Sequence, residues 1–284
     1  MASPSATAPG SVIEIAPGTT AERILDYDVA SDVPHTVIHV GDGARVTIVE
    51  RLHGASAVPV AASTEIVAGE RSSVSYTVLE TLPTGTAVTS RRTSRAAAGA
   101  QVAWNVALLG GGTMSEEIVV EQDGPGVGSE IAAVFFPVGR ENVQLTTEVR
   151  HNVPNTASQT VVRSIAAGRG RGRYFGNIRI APHAHGSEAS LRDDTLLIGK
   201  DARIEAIPAL EIAANDVKAF HGATVGAIDE EHIFYLMSRG IERDAAEKLI
   251  ALGFFEPAIA RFPGENLRAE VRTLLEEKLA GARR

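Results

Sequence analysis

Cysteine is absent from the 284-residue sequence, and aromatic residues are scarce. The absence of cysteine excludes disulfides, thiolate zinc sites, a cysteine nucleophile and any iron–sulfur cluster held by this chain's own thiolates. Only 1 Trp, 4 Tyr and 8 Phe stand against 27 Gly, so the core must be built from Val, Ile, Leu and Ala. A core of these residues favours thin, stacked β-layers over thick helix packing.

An excess of positive charge and long apolar runs are also missing. The 27 Lys and Arg residues and 35 Asp and Glu residues give a net charge of −8, and phosphate contacts need a basic surface. No apolar run approaches the roughly 18 residues of a membrane span. The first ten residues have neither the basic nor the apolar region of a secretion signal. We therefore predict a cytoplasmic protein that binds no nucleic acid and no membrane.

Short runs rich in Val, Ile and Thr, separated by Gly, Asp, Asn and Pro, fill the sequence from about residue 11 to residue 221, as β-strands do. Segments of the form Gly-x-polar-apolar recur at Gly43, Gly99 and Gly128, with a looser copy at Gly69. Uneven steps of roughly 30 residues separate these glycines, a period typical of a solenoid whose coils each turn at a glycine. We therefore predict a mainly β protein with a parallel β-helix, and a large antiparallel sandwich is the alternative.

After residue 226 the pattern changes to the 3.6-residue spacing of amphipathic helices. Asp229 is placed to cap a first helix and Gly240 to end it. A second helix follows, and Pro257 predicts its end or a kink. The third helix carries apolar residues on one face: Leu267, Val271, Leu274, Leu275 and Leu279.

These patterns divide the sequence into three parts. We predict a disordered tail at residues 1–10, a parallel β-helix core at 11–226 and a small helical domain at 227–284. The helical domain is too small to bury all its apolar faces alone. It is therefore a candidate docking surface.

The glycine-rich and arginine-rich segments have ordinary structural interpretations. The glycines at 110–112 and 124–128 lack the residues that complete a P-loop or a dinucleotide-binding loop, so nucleotide binding is not supported. Arg169, Arg171 and Arg173 alternate with glycine in a basic loop. Such a loop is able to attract a phosphate or an acidic partner, although a solvated turn is its commoner role.

Three histidines are candidates for metal chemistry. His183 and His185 follow a predicted strand and would share one face if that strand continued, as chelation requires, but no third ligand is near them in sequence. They are weak metal candidates. His221 lies at the predicted junction between β-helix and helices, with Asp216 and Lys218 close by, and is the stronger candidate.

A hydrolytic function has little support. The nucleophile motif Gly-x-Ser-x-Gly is absent. The paired carboxylates Glu116-Glu117 and Asp193-Asp194 keep open a polysaccharide-processing β-helix enzyme. The scarcity of aromatic residues, with Trp104 the only Trp, argues against it because sugar rings commonly stack on aromatic side chains.

A long segment resembles a known family. The matching stretches are FGNIRIAPHA (175–184), TLLIGKDARIEAIPALEI (195–212), NDVKAFHGATVGAIDEEHIFYLMSRGI (215–241) and GFFE (253–256). Over these residues the sequence is similar to the C-terminal part of the SufB/SufD family of iron–sulfur cluster assembly proteins, in a short form of the SufD-like branch. The resemblance implies a right-handed parallel β-helix with a small C-terminal α-helical domain and no enzymatic activity.

The resemblance also implies partners within a SufBCD-type complex. A SufB-like scaffold, or a second copy in a homodimer, would pair through the end of the β-helix. The interface candidates are Glu211, Asp216, Lys218, Phe220 and His221. A SufC-like ABC ATPase would dock on the helical domain. The docking candidates are Ile233, Phe234, Tyr235, Leu236, Arg239, Gly240, Leu249 and Phe254.

His221 matches a histidine that the family uses in building the cluster, but Ala219 stands where many SufD-like chains carry a cysteine. One imidazole can supply only a single ligand. We therefore expect no cofactor bound by the chain alone, with iron or a shared iron–sulfur cluster at a partner interface left open. The alternative function is a metal-binding enzyme or specialised assembly factor that uses His183, His185 and His221.

Overall fold

The structure is a computed structural model that describes residues 10–32 and 34–282. The predicted disordered tail lies outside the described residues except for Gly10. Strands and helices follow one another in this order: β1 (Ser11–Ile15), β2 (Thr20–Asp28), β3 (His35–Val40), β4 (Arg45–His53), β5 (Val60–Ala68), β6 (Ser73–Glu80), β7 (Ala87–Ala96), β8 (Gln101–Leu108), β9 (Thr113–Gln122), β10 (Gly128–Phe135), β11 (Val138–Gly139), β12 (Asn142–His151), β13 (Ala157–Gly168), β14 (Arg171–Ile180), β15 (Ser187–Ile198), β16 (Arg203–Ile212), β17 (Val217–Ala227), α1 (Glu230–Ser238), α2 (Arg243–Ile259) and α3 (Glu265–Gly281).

The strands form two parallel sheets that the chain visits in turn. The first sheet has the order β1-β3-β5-β7-β9-β12-β14-β16, and the second has the order β17-β15-β13-β10-β8-β6-β4-β2, with β11 beside β13. Each coil contributes one long strand to each sheet, which gives about eight coils. This architecture confirms the predicted parallel β-helix with C-terminal helices. Since the described strand pairs are parallel, the antiparallel sandwich is wrong.

The register of the second sheet defines the repeat more accurately than the glycines do. Arg45 pairs with Ser73, Ser73 pairs with Gln101, and Gln101 pairs with Gly128. These steps along the chain are nearly equal. The period is therefore more regular than the spacing of the glycines alone indicates.

The coils before the last enter the second sheet through a residue in the left-handed region of φ. Register places seven such residues in one column: Gly18, Gly43, Arg71, Gly99, Gly126, Asn155 and Gly186. Gly69 and Gly128, which the sequence pattern selects, lie two positions away from the turn residues of their coils. At Gly69 the pattern is shifted because the turn residue of that coil is Arg71, which is not a glycine.

The main core fills the space between the sheets, because alternate residues of every strand point inward. It is mostly aliphatic, as the composition predicts. Trp104 is fully buried there, and its ring centroid lies 4.9 Å from that of Tyr76. The only tryptophan of the chain is therefore a reporter of the interior of the β-helix.

A second core lies between the outer face of the second sheet and the helices. Phe136 and Ile165 of the β-helix pack in the same cluster as Phe255 of α2 and Leu275 of α3. The predicted apolar face of the third helix is confirmed, with Leu267, Val271, Leu275 and Leu279 buried. α2 continues through Pro257 to Ile259, because Ala258 and Ile259 are held in this core.

Candidate assembly surfaces

The last coil presents an uncovered end of the β-helix. β16 and β17 are the terminal strands of their sheets, so within the described chain neither has a strand on its outer edge. Ile207, Ile212, Phe220 and Val225 are between 37% and 63% exposed there. An open sheet edge with apolar side chains is a template for pairing with another chain. This end is the first candidate interface.

His221 and Phe220 lie on opposite faces of β17. His221 pairs in register with Leu191, which is buried in the main core, so the imidazole is on the inward side at the open end. Phe220 pairs with Ser190, and both line a groove of about 680 Å³ on the outer face of the second sheet. A partner bound at this end would therefore contact His221 on the inward side of β17 and Phe220 on its outer face.

The other predicted interface residues belong to two different surfaces. Lys218 makes an ion pair of 2.7 Å with Glu188 on the second sheet, and Asp216 comes directly before β17. Glu211 instead pairs with Arg179 at 3.0 Å on the outer face of the first sheet. The structure thus gathers Asp216, Lys218 and the two β17 residues above, and leaves Glu211 apart from them.

A buried carboxylate lies one coil below this end. Asp193 is fully buried, neither of its oxygens has a hydrogen-bond partner within the described residues, and it pairs in register with Ala223 of β17. Burial, with the nearby charge of Asp194, raises the pKa of Asp193 to about 7. Asp194 points outward and pairs with Arg163. The two carboxylates lie on opposite sides of the strand and cannot act on one substrate.

A second buried polar cluster, which sequence reasoning missed, lies deeper in the β-helix. The Arg92 guanidinium is 2.9 Å from Glu116, 3.0 Å from Glu50 and 3.7 Å from Glu80, and all four side chains are buried. Glu117 is on the outer face. The signal available in the sequence was the alternation of side chains along a strand, which places the adjacent residues Glu116 and Glu117 on opposite faces. This separation removes the basis for a carbohydrate-cleaving carboxylate pair.

The two other candidate histidines lie in a turn. β14 ends at Ile180, and both His183 and His185 are exposed beyond it, with Ala184 buried between them. In the part of the chain that the structure describes, no group of three or more His, Asp or Glu side chains is placed to hold a metal ion. The geometry gives no support to the alternative metal-binding function.

The second candidate surface is formed by α1 and the adjoining face of α2. Asp229 caps α1 by accepting a hydrogen bond of 2.9 Å from the Glu231 backbone N–H, and Gly240 follows the helix with a φ of 84°. Phe234 is 74% exposed and Tyr235 57% exposed. The remaining exposed or half-exposed candidates are Leu236, Arg239, Gly240 and Leu249.

Two of the predicted docking residues pack within the chain instead of contributing to the exposed surface. Ile233 is buried, and Phe254 packs partly into the second core with the Arg163 guanidinium 5.7 Å from its ring centre. Met237 of the same helix is 44% exposed and extends the surface. The exposed apolar part of this surface therefore centres on Phe234 and Tyr235.

No helix among the described residues combines the length and the apolar character needed to cross a membrane.

Comparison with known proteins adds a family to this geometry. The family model "SUF system FeS cluster assembly, SufBD core domain" matches residues 23–254. An iron–sulfur cluster assembly SufBD family protein of Mycobacterium tuberculosis is 31% identical over 218 residues, which are 77% of this chain and 26% of the relative.

Two proteins named iron–sulfur cluster assembly protein SufD also match. The Escherichia coli protein is 34% identical over 177 residues, which are 62% of this chain and 42% of the relative. The Bacillus subtilis protein is 26% identical over 216 residues, which are 76% of this chain and 49% of the relative. The matches thus cover between about a quarter and a half of the length of these curated relatives.

Proposed function

Because the chain belongs to the SufBD family of iron–sulfur cluster assembly proteins, we propose that it serves cluster assembly as a non-catalytic, SufD-like subunit. The observation that carries this proposal is the coexistence of two separate apolar surfaces on one chain. One is the open end at β16 and β17, and the other is the α1 surface around Phe234. A subunit that joins two different partners needs two such surfaces.

The open end is where a SufB-like scaffold, or a second copy of this chain, pairs. Added strands, one on each sheet edge, would satisfy the free backbone groups of β16 and β17, and the strand on β17 would cover Phe220 and Val225. His221 would then be enclosed between the two chains. With no cysteine in this chain, the thiolate ligands of any cluster at that interface must come from the partner.

The α1 surface is where an ABC-type ATPase docks. Phe234 and Tyr235 are large aromatic side chains that lie next to one another and are exposed to solvent, and exposed aromatic anchors are typical centres of protein interfaces. Arg239 lies over the Tyr235 ring, 5.3 Å from its centre, which orders the rim of this surface.

Co-purification with the cognate SufB-like and ABC ATPase proteins tests both interfaces. Phe220→Glu with Val225→Glu should release the SufB-like partner and retain the ATPase. Phe234→Glu with Tyr235→Glu should do the reverse. Ile24→Glu is the matched control, because Ile24 is 70% exposed on β2 at the opposite end of the β-helix, and both partners should remain bound.

Retention of both partners by both double variants would contradict the two-interface proposal. Within an intact complex, His221→Ala should lower the yield of assembled cluster, whereas His39→Ala, an exposed histidine on β3, should leave it unchanged. An unchanged yield in His221→Ala would make this histidine a structural residue only.

A further inference from the structure

A row of exposed basic side chains crosses one corner of the β-helix in its last coils. The turns there read Gly-Arg at 139–140 and 168–169 and Gly-Lys at 199–200, and the three glycines have φ of 60°, 63° and 97°. Gly139 pairs in register with Gly168, and Gly199 lies against the backbone of Gly168. The cations that follow these glycines therefore stack on successive coils, about 4.8 Å apart.

Two further arginines extend this row onto the first sheet. Arg171 begins β14 and Arg203 begins β16, and the two residues pair in register. We call Arg140, Arg169, Arg171, Lys200 and Arg203 the basic corner; all five are exposed. In the described part of the chain, none of them makes an ion pair with a carboxylate, although Arg203 donates to the backbone carbonyl groups of Lys200 and Ala202.

The acidic residues of the same turns are too few or already engaged. Glu141 accepts hydrogen bonds from Lys278 at 2.7 Å and from the Val138 backbone N–H at 3.0 Å. Glu205 lies 3.8 Å from Arg173, and Asp201 is the remaining acid of these turns. In a chain of net charge −8, five cations without carboxylate partners are therefore concentrated at one corner.

A hollow opens beside Arg140 at this corner. It has a volume of about 410 Å³, and its walls include Thr84, Thr86 and Thr113 as well as Gly139 and Arg140. Glu141 also lines it, with its carboxylate paired to Lys278. Hydroxyl groups and a guanidinium are the hydrogen-bond donors that phosphoryl oxygens accept from. A concave site of this size encloses a compact ligand, whereas an acidic protein segment would need a longer, flatter surface.

We propose that the basic corner binds a small polyanion of the oligophosphate class, with one phosphoryl group in the hollow beside Arg140. The following phosphoryl groups lie along Arg169 and Lys200, a row of about 10 Å that exceeds the length of one phosphate ion. The arginine-rich loop at 169–173 is then part of a ligand site, built without the helix N-terminus that P-loops use.

Titration of the full chain with inorganic tripolyphosphate at low ionic strength, followed by calorimetry, tests this site. Arg169→Gln with Arg171→Gln should weaken binding by at least about tenfold, the loss expected for one charge-assisted hydrogen bond. Arg140→Gln should weaken it similarly. Arg45→Gln is the matched control, because Arg45 is exposed at the turn that leads into β4 and should leave binding unchanged.

Absence of tripolyphosphate binding, or an equal loss in Arg45→Gln and the corner variants, overturns the site. Equal binding of a glutamate oligopeptide of the same charge also overturns it, in favour of an acidic protein segment. ATP distinguishes the source of the phosphates: tighter binding than tripolyphosphate supports the site with a nucleotide as ligand, and no gain supports it with an inorganic oligophosphate.

Discussion

Arg92 organises the most strongly buried charges of the molecule. One guanidinium faces the carboxyl groups of Glu50, Glu80 and Glu116 inside the β-helix, and each carboxyl group is within 3.7 Å of it. Burial raises the pKa of Glu80, and it raises the pKa of Glu116 to about 8, while the charge of Arg92 acts to lower both. The carboxylates in turn keep Arg92 charged despite its burial.

Removal of this cation should therefore be costly. We predict that Arg92→Met lowers the free energy of unfolding by about 3–5 kcal/mol at pH 7, because the three buried carboxyl groups lose the cation that they all face. Urea unfolding monitored by Trp104 fluorescence measures the change. Arg91→Met is the control, since Arg91 is exposed and pairs with Glu117 on the outer face, where an ion pair contributes at most about 1 kcal/mol. Equal effects of the two variants would contradict the role of Arg92.

Asp193 predicts a pH dependence of stability. Its pKa is about 7 in the folded chain, against an ordinary value of 3.8. Between these values the folded state binds the proton more tightly than the unfolded state, so this carboxyl's contribution to stability falls as pH rises and is lost above pH 7. Asp193→Asn should therefore raise the free energy of unfolding at pH 8, by at most about 4 kcal/mol, and have little effect near pH 3.5.

Asp194→Asn is the matched control at the neighbouring position and should behave oppositely. Although burial acts to raise the pKa of Asp194, hydrogen bonds from Thr224 and Arg192 and the charge of Arg163 outweigh it, and the pKa is lowered. The asparagine variant should thus lose stability at neutral pH and lose less as the pH falls. Chemical denaturation between pH 3.5 and pH 8 checks both signs, and a gain at pH 8 in both variants would contradict this account.

At the scale of single elements, the column of left-handed turn residues at the entry to the second sheet shows that register determines which positions adopt a positive φ. Gly126 has a φ of 75°, yet a side-chain carbon there would approach nothing closer than 3.8 Å. The cost of a side chain at this position is thus purely conformational. Arg71 and Asn155 adopt φ of 54° and 58° at equivalent positions and already bear that cost.

Gly126→Ala should consequently lower the free energy of unfolding by about 1–2 kcal/mol, whereas Arg71→Gly should raise it by about 0.5 kcal/mol. The substitution Arg71→Gly removes only an exposed ion pair, between Arg71 and Glu70. Gly253→Ala, in the interior of α2 with open space around it, provides the contrasting case and should stabilise by about 1 kcal/mol. Thermal unfolding of the three variants measures these changes. A shift of the midpoint in the same direction for Gly126→Ala and Gly253→Ala would contradict the conformational explanation.

The strands, the repeat and the helices were predictable because period-2 and period-3.6 patterns are local. The repeat's register was not, since it depends on which alternate residues meet inside the β-helix and not on where glycine occurs. Arg71 shows the difference, as a residue that no glycine pattern would select. Contacts between distant parts of the chain also explain why α2 continues past Pro257. Packing of Ala258 and Ile259 against the sheet outweighs the local tendency of Pro257 to end the helix.

At the scale of the whole molecule, the helices and the β-helix share one core. Phe255 of α2 is fully buried, and its ring centre is 6.2 Å from that of Phe136 of the β-helix. Removal of residues 227–284 would therefore uncover Phe136 and Ile165 as well as abolish the α1 surface. Point variants on α1 are the better test of docking for this reason.

The shared core predicts that the two parts unfold together. Phe255→Ala should lower the free energy of unfolding by about 3–5 kcal/mol, and the loss should appear equally in two measurements. Trp104 fluorescence reports the interior of the β-helix, while circular dichroism at the helical band reports α1 to α3. Leu249→Ala, on the exposed side of α2, should change neither. If Phe255→Ala moved only the helical signal, the helices would be an independent unit, and deletion of residues 227–284 would be a valid test of ATPase docking.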